Sequence, residues 1–400
     1  MSVVEIENSI LSGEVVVPPS KSAAHRALVC SFLAGGGTVN PIIDSNDMRA
    51  TVGVIHALKN DEKELNCIES GSTMRFMIPV AAALGKEVTF VGEGSLLSRT
   101  LGEYMTLLPQ HNVKVKSDGF LPLEISGRLT NGSYEVNGDV SSQYITGLLM
   151  ALANADGDSA VILKTPLQSK PYVDMTIKVM ADFGVHVTGT DFGYLIHGNQ
   201  KFRQLDYTVE GDWSQAAFFL VAGALGGRVT VKGLDINSTQ GDREILNVLK
   251  KFGAKVVFDD TTATAEKSEL FGTDINAENI PDLVPVIAVL AAFAEGKTVI
   301  YGAERLRYKE SNRIESVVTN LKLMGVDAKE TADGIIINGG NKLTGNALKG
   351  FNDHRIVMAF SVAALFAEGK TTIDDAMSIN KSYPHFFEDY NMLGGRANVL

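Results

Sequence analysis

Apolar residues fall into two recurring patterns along the chain. In the first, a run rich in Ala, Leu and Phe is apolar almost all round, stops at Gly, and passes after one or two polar residues into a short Thr/Val/Ile run. Six stretches follow it: SFLAGGGTVN, VAAALGKEVTF, ALANADGDSAVI, VAGALGGRVTV, LAAFAEGKTVI and AALFAEGKTTI. Their Thr/Val/Ile runs begin near residues 37, 86, 158, 227, 296 and 369. Gly near a C-cap ends a helix and β-branched residues favour a strand, so each copy is predicted as helix, turn, strand. A helix apolar on every side is buried on every side, which puts helices inside and sheets outside. The second pattern is amphipathic. In EILNVLKKFGAKVVFD, residues Ile245, Leu246, Val248, Leu249 and Phe252 recur at helical spacing. VDMTIKVMADFGVHVTGT and SVVTNLKLMGVDAKET read the same way. Each repeat is therefore two helices with two or more strands. Six repeats split as three plus three, with the polar stretch at residues 198–212 as the expected linker. A solenoid or ring would also repeat. A doubly wound dinucleotide fold lacks its GxGxxG between strand and helix.

Composition narrows the class. A chain of 400 residues fits two domains. With 45% hydrophobic and 21% charged residues it is neither disordered, collagen-like nor a coiled coil. The longest apolar run, residues 283–294, is too short to span a bilayer. The first residues carry no basic cluster and do not read as a secretory signal. Two cysteines, Cys30 and Cys67, cannot make a disulfide framework, so reduced thiols and a cytoplasmic location are expected. The net charge of −11 argues against a duplex-DNA binder. An anionic ligand must then be held by a local basic cluster.

Such clusters sit at the starts of the apolar helices. The first begins with Ser20, Lys21, Ser22 and Arg26; the second with Ser70, Gly71, Ser72 and Arg75; the third with Ser141, Ser142 and Gln143. The fourth begins with Asp212, Ser214 and Gln215, the fifth with Asp282, and the sixth with Asn352, Asp353, His354 and Arg355. Any one Ser or Asp there reads as an N-cap. Together they are more. Helix N-termini already suit anions, and Lys21, Arg26, Arg75 and Arg355 add cations to them. Loops supply Arg99, Ser169 with Tyr172, Lys381, and the segment RYKESNR at 307–313, where Glu310 stands among cations. A carboxylate so placed is a counter-ion or a proton-transfer group. Metal-binding spacings of His and Cys, a GxSxG elbow and a phosphate-binding GxxxxGK[ST] loop are absent, so neither metal nor cofactor is expected.

The motifs PSKSAAHRAL, GSTMR, SRTLG, SSQYITGLLMA, SKPYVDMT, EGDWSQAAFFL, IPDLVPVIA, RYKESNRI, NDHRIVMAF and KSYPHFF occur in this order. In them the chain resembles the EPSP synthase (3-phosphoshikimate 1-carboxyvinyltransferase) family almost from end to end. The resemblance implies an α/β enolpyruvyl transferase fold, a two-domain inside-out barrel of six βαβαββ-type units with buried helices. One domain would comprise residues 1–19 and 210–400, the other 20–209, with the active site in the cleft between them. The implied reaction moves the enolpyruvyl group of phosphoenolpyruvate to the 5-hydroxyl of shikimate 3-phosphate. Lys21, Gly71, Arg99, Gln143, Arg313, Arg355 and Lys381 match phosphoenolpyruvate contacts. Lys21, Ser22, Arg26, Ser141, Ser142, Gln143, Ser169, Tyr172, Asp282 and Lys309 match contacts to shikimate 3-phosphate. Lys21, Asp282 and Glu310 match the proton-transfer groups. By the same resemblance the chain works on these two small molecules as a monomer, with no nucleic-acid or membrane partner.

Three positions depart from the family pattern: Glu69 stands where many members have Asn, Asn312 where Asp is frequent, and Arg305 where some have Asn. Two other readings compete with this one. The sister transferase acting on UDP-N-acetylglucosamine typically carries a loop Cys and a Lys-Asn pair, whereas this chain has Lys21-Ser22. A ring-shaped nucleic-acid clamp needs a basic inner surface. Two domains that bring cations to one cleft repel each other when it is empty, so anionic ligands should draw them together. The radius of gyration from small-angle scattering is expected to fall when shikimate 3-phosphate is added; an unchanged value counts against closure.

Overall fold

The computed structural model describes residues 2–340 and 342–400. By internal contacts the chain divides into two compact units, Ser20–Val209 and a discontinuous unit of Met1–Pro19 with Glu210–Leu400.

The Ser20–Val209 unit holds α1 (Lys21–Leu33), α2 (Asn46–Lys59), α3 (Gly71–Ala83), α4 (Tyr104–Gln110), α5 (Ser142–Leu152) and α6 (Lys170–Asp182). Of the three helices expected to be inside, α3 and α5 are buried along nearly their whole length and pack on each other, while α1 packs against α2, α3 and α6. Two four-stranded sheets cover them. One runs Glu64–Asn66, Val88–Val91, Leu123–Gly127, Val113–Lys116; the other runs Ser133–Val136, Ser159–Leu163, Gly193–Ile196, Val187–Thr190. In each, the first two strands are parallel and the rest antiparallel. Parallel neighbours need a crossover, and an inner helix supplies it.

The first repeat of this unit is shorter than the pattern implied. Its strand after α1 is only Val39–Asn40, paired in parallel with Tyr207–Thr208. The stretch 198–212, expected as a linker, also differs from its reading. Most of it is fastened to this unit: Asn199 N–H donates to the Ala155 carbonyl at 2.7 Å, Arg203 N–H to the Phe183 carbonyl at 2.8 Å, and Phe202 is buried. Backbone pairing is indifferent to side-chain polarity, so composition misreads it.

The other unit holds α7 (Trp213–Gly226), α8 (Ile245–Lys251), α9 (Val284–Phe293), α10 (Arg313–Leu323), α11 (His354–Ala364) and α12 (Phe386–Met392). Helices α7, α9 and α11 pack on one another and are buried on every side. Three four-stranded sheets surround them. Strand Ser12–Val16 pairs in parallel with Arg228–Lys232 and so begins the first repeat. Asp274–Asn276, Gly296–Tyr301, Ile335–Gly339 and Asp327–Glu330 make the second sheet. In the third, Val3–Glu7 lies between Thr371–Asp374 and Arg396–Val399. The expected α/β architecture of helices inside sheets is therefore present, with five four-stranded repeats and one abridged. Among the described residues no helix is long and apolar enough to cross a membrane.

Close approach of α3 and α5 depends on Gly147. A Cβ there would lie against the Arg75 carbonyl oxygen and 2.6 Å from the Tyr104 hydroxyl. Ala in place of Gly gains about 0.5–1 kcal/mol in an ordinary helix interior. Here a backbone atom blocks it, and overpacking costs about 1–3 kcal/mol. Gly147→Ala is therefore expected to lower the denaturant midpoint; a midpoint at or above that of the unchanged protein would refute the close contact.

Candidate active site

A buried helix must satisfy its first N–H groups without water. Five of the six inner helices do so with the side chain just before their first turn. Ser20, Ser70 and Ser141 accept from Ala23, Thr73 and Gln143 N–H, Asp212 from Ser214 and Gln215, and Asp353 from Arg355. The sixth, α9, has no side-chain cap and is entered through the 3-10 turn Pro281–Leu283. The carboxylate of that turn, Asp282, reaches cations instead.

In the Ser20–Val209 unit the polar side chains form three groups. Lys21, in the first turn of α1, pairs with Asp47 of α2 at 2.7 Å. At the start of α3, a Cβ on Gly71 would lie 2.5 Å from Arg99 Nη1 and 3.0 Å from Arg75 Nη1. Two guanidinium groups thus crowd the one residue small enough to admit them. Like charges so close favour an anion beside them. Arg75 Nη1 donates to Gln143 Oε1 at 2.9 Å, and Gln143 Nε2 donates to Ser72 Oγ at 2.9 Å, so α5 presents Gln143 to the start of α3. The third group is Arg26, which is almost fully buried. It donates to Thr176 Oγ1 (2.8 Å), the Ser22 carbonyl (2.7 Å) and the Tyr172 carbonyl (3.0 Å), with its charge over the Phe76 ring. Burial pushes its pKa down to about 10, so it stays charged at neutral pH. Ser169, which precedes α6, has φ +55°, and its backbone carbonyl accepts from Tyr172 N–H. Ser142 is buried in the first turn of α5.

In the other unit one arginine is the hub. Arg313, 1% exposed at the start of α10, meets Asp353 through Nε (2.8 Å), Asp282 through Nη1 (2.8 Å) and Glu310 through Nη2 (2.6 Å). Asp282 also receives Arg355 Nη2 at 2.9 Å, and Lys309 Nζ lies 3.7 Å from it. Arg355 Nη2 further donates to Ser214 Oγ at 3.1 Å. Burial alone would raise the Asp282 carboxyl; Arg355, Lys309 and Arg313 overcome it and hold it well below the usual carboxylate range. Burial pulls Lys309 down and Asp282 opposes this. Lys381 donates to the Asn352 carbonyl at 2.8 Å, beside the start of α11.

The structure thus brings Asp282, Lys309, Glu310, Arg313 and Arg355 into one cluster, and Gly71, Arg99 and Gln143 into another. Sequence reasoning misses Asp47, which faces Lys21. It names Arg75 and Asp353 only as helix-start residues and does not reveal that Asp353 is both cap and partner of Arg313. An acid in the first turn of an amphipathic helix serves the helix dipole in any case, so Asp47 gave no separate signal. Of the departures, Asn312 caps α10 by accepting from Glu315 N–H, Arg305 donates to the Glu278 carbonyl at 2.8 Å, and Glu69 lies against Gly94 in the turn leading to Arg99. Among the described residues no group of His, Cys, Asp and Glu is arranged to hold a metal ion.

Comparison with known proteins gives one result throughout. The family model for EPSP synthase (3-phosphoshikimate 1-carboxyvinyltransferase) matches residues 6–69 and 59–390. The chain is 42% identical to the 3-phosphoshikimate 1-carboxyvinyltransferase of Clostridium novyi, over 99% of this chain and 98% of that one. It is 41% identical to that of Clostridium kluyveri, over 100% and 99%. Among solved structures, EPSP synthase from Acinetobacter baumannii superposes with a TM-score of 0.84 at 27% identity, covering all of both chains. The enolpyruvyl transferase NikO from Streptomyces tendae, at TM-score 0.80 and 18% identity over 100% of this chain and 98% of that one, shares the fold. With helix-start motifs, buried helices and full-length identity in agreement, this chain belongs to the EPSP synthase (3-phosphoshikimate 1-carboxyvinyltransferase) family.

Proposed function

We propose that the chain carries out the reaction of its family with the residues described above. It transfers the enolpyruvyl group of phosphoenolpyruvate to the 5-hydroxyl of shikimate 3-phosphate and releases phosphate, in the pathway to the aromatic amino acids. The assignment of roles rests on one observation above all: Asp282 is held by Arg313 and Arg355, near Lys309, with Glu310 on the same arginine. Three cations and two carboxylates there suit anionic substrates that must exchange protons.

Lys21, Gly71, Arg99, Gln143, Arg313, Arg355 and Lys381 are assigned to phosphoenolpyruvate. Lys21, Ser22, Arg26, Ser141, Ser142, Gln143, Ser169, Tyr172, Asp282 and Lys309 are assigned to shikimate 3-phosphate. The 5-hydroxyl oxygen attacks C2 of phosphoenolpyruvate while C3 takes a proton, giving a tetrahedral adduct. Loss of phosphate and of a C3 proton then restores the double bond. One acid must face C3 and one base the hydroxyl. Asp282 is assigned to the hydroxyl, and Glu310 and Lys21 to the remaining transfers. Cations on the carboxylate and phosphate stabilise the adduct. A carboxylate held as low as Asp282 is a weak base. Substrate anions that draw Arg313, Arg355 and Lys309 toward themselves would raise its basicity when it is needed. Cys30 and Cys67, both buried unbridged thiols, support a cytoplasmic location. We assign a monomer.

In a phosphate-release assay with both substrates, Lys21→Ala and Glu310→Ala are expected to lose roughly 10²–10⁴-fold in rate. Full activity in either variant would remove that residue from the mechanism, and turnover of UDP-N-acetylglucosamine in place of shikimate 3-phosphate would overturn the assigned acceptor. A folded-state pKa below the unfolded value contributes stability above the unfolded pKa and loses it as pH falls through the folded one. Asp282→Asn is therefore expected to unfold more readily than the unchanged protein at neutral pH, with the gap closing below about pH 4. A gap that does not change with pH would mean that the ion pairs of Asp282 contribute nothing.

A further inference from the structure

Beneath the Lys21–Asp47 pair lies a second link between α1 and α2, one turn further along both helices. His25 follows Lys21 by four residues and Thr51 follows Asp47 by four, and His25 Nδ1 is 2.7 Å from Thr51 Oγ1. The contact continues. Thr51 Oγ1 is 2.7 Å from Thr73 Oγ1 of α3, and Thr73 Oγ1 donates to Ser70 Oγ at 2.8 Å. Ser70 is the cap of α3 and immediately precedes Gly71. All four side chains are buried.

The direction of this chain is set by its end. Thr73 spends its one hydroxyl proton on Ser70, so it accepts from Thr51. Thr51 has then spent its own proton and accepts from His25. His25 must carry its proton on Nδ1, which leaves Nε2 as a bare acceptor. Nε2 is buried without a hydrogen-bond partner, and the ring meets Phe76 edge-on at 6.3 Å. Burial first, then Lys21 and Arg26, holds the imidazole neutral. A buried polar atom without a partner is a cost that an apolar residue would avoid. Filling the space between three helices does not require it. What hydrogen bonds add is fixed distance and direction, so the three helices cannot slide past one another as apolar faces can.

We propose that His25 is a positioning residue for the phosphoenolpyruvate subsite, acting through Thr51, Thr73 and Ser70 to hold Gly71 in register with Lys21. The inference rests on the assignment of Gly71 and Lys21 to that substrate. Gly71 has no side chain of its own to anchor, and Arg99 and Arg75 leave it little clearance. Its place is thus determined by the residue before it, and Ser70 is where the relay ends.

Two experiments test this. Thr51→Val and Thr73→Val each remove one hydroxyl at nearly constant shape. Each is expected to raise KM for phosphoenolpyruvate about tenfold, the effect of losing roughly 1.4 kcal/mol, while KM for shikimate 3-phosphate changes less than about threefold. Thr51→Ser and Thr73→Ser, which keep the hydroxyl, are expected to restore the lower value. Variants that lose only thermal stability with both KM values unchanged, or Ser variants no better than Val, would overturn the proposal. The second readout needs no turnover. Nitrogen-15 NMR of the imidazoles in the unchanged protein should find His25 neutral and protonated on Nδ1 at neutral pH. A proton on Nε2 would overturn the relay. An enzyme that releases no phosphate but keeps the Nδ1–H tautomer would instead count against the assigned reaction.

Discussion

Everything polar in this structure is governed by the burial of helices that have no wet side. An amphipathic helix can carry function on its exposed face. The helices α3, α7, α9 and α11 have none to offer, because they are buried all round. Only their ends remain. The N-terminal end brings unsatisfied N–H groups and a positive dipole, so it needs oxygen acceptors and welcomes anions. Caps answer the first need at Ser20, Ser70, Ser141, Asp212 and Asp353. The cations Lys21, Arg75 and Arg355 within the first two turns of these helices extend the second. Packing and chemistry are thus two demands on the same helix starts, which is why assigned site residues stand directly beside caps, Lys21 after Ser20, Gly71 after Ser70 and Ser142 after Ser141.

The cluster around Arg313 follows the same logic with opposite signs. Arg313, Arg355 and Lys309 face Asp282, Glu310 and Asp353, three charges against three. A buried cation without partners would be prohibitive, and breaking such a pair costs several kcal/mol. Internal neutrality keeps the cluster affordable before any substrate arrives. Under the proposed assignment, an incoming carboxylate or phosphate would compete with a partner already in place, which would tune binding downward and make it exchangeable.

Much of this could be read from sequence, for a definite reason. Helices that are Ala- and Leu-rich all round, each followed by Gly and a β-branched run, announce inner helix, turn and outer strand locally, and five repeats match closely. The abridged first repeat was not legible, because the missing hairpin leaves no local trace and its strand partner lies at Tyr207–Thr208. The stretch 198–212 looks like a linker because it is polar, yet backbone bonds, the Gln200 and Asp206 side chains and buried Phe202 fasten most of it to partners distant in sequence. Arg313 could be singled out as a cation, yet two of its carboxylate partners lie 31 and 40 residues away, which no local spacing reveals. Asp282 was legible as a helix-start acid. That it meets cations while α9 has no side-chain cap depends on the 3-10 turn ahead of α9.

The strand Val3–Glu7 sits between two strands made more than 360 residues later. On the ribosome it emerges well before either partner and must wait for both. The Ser20–Val209 unit can complete its own pairing once Tyr207–Thr208 has been synthesised. The third sheet of the other unit stays open until Arg396–Val399 has left the exit tunnel. The inserted unit is thus free to mature early, while the polypeptide that flanks it keeps an unpaired edge until both distant partners have been made.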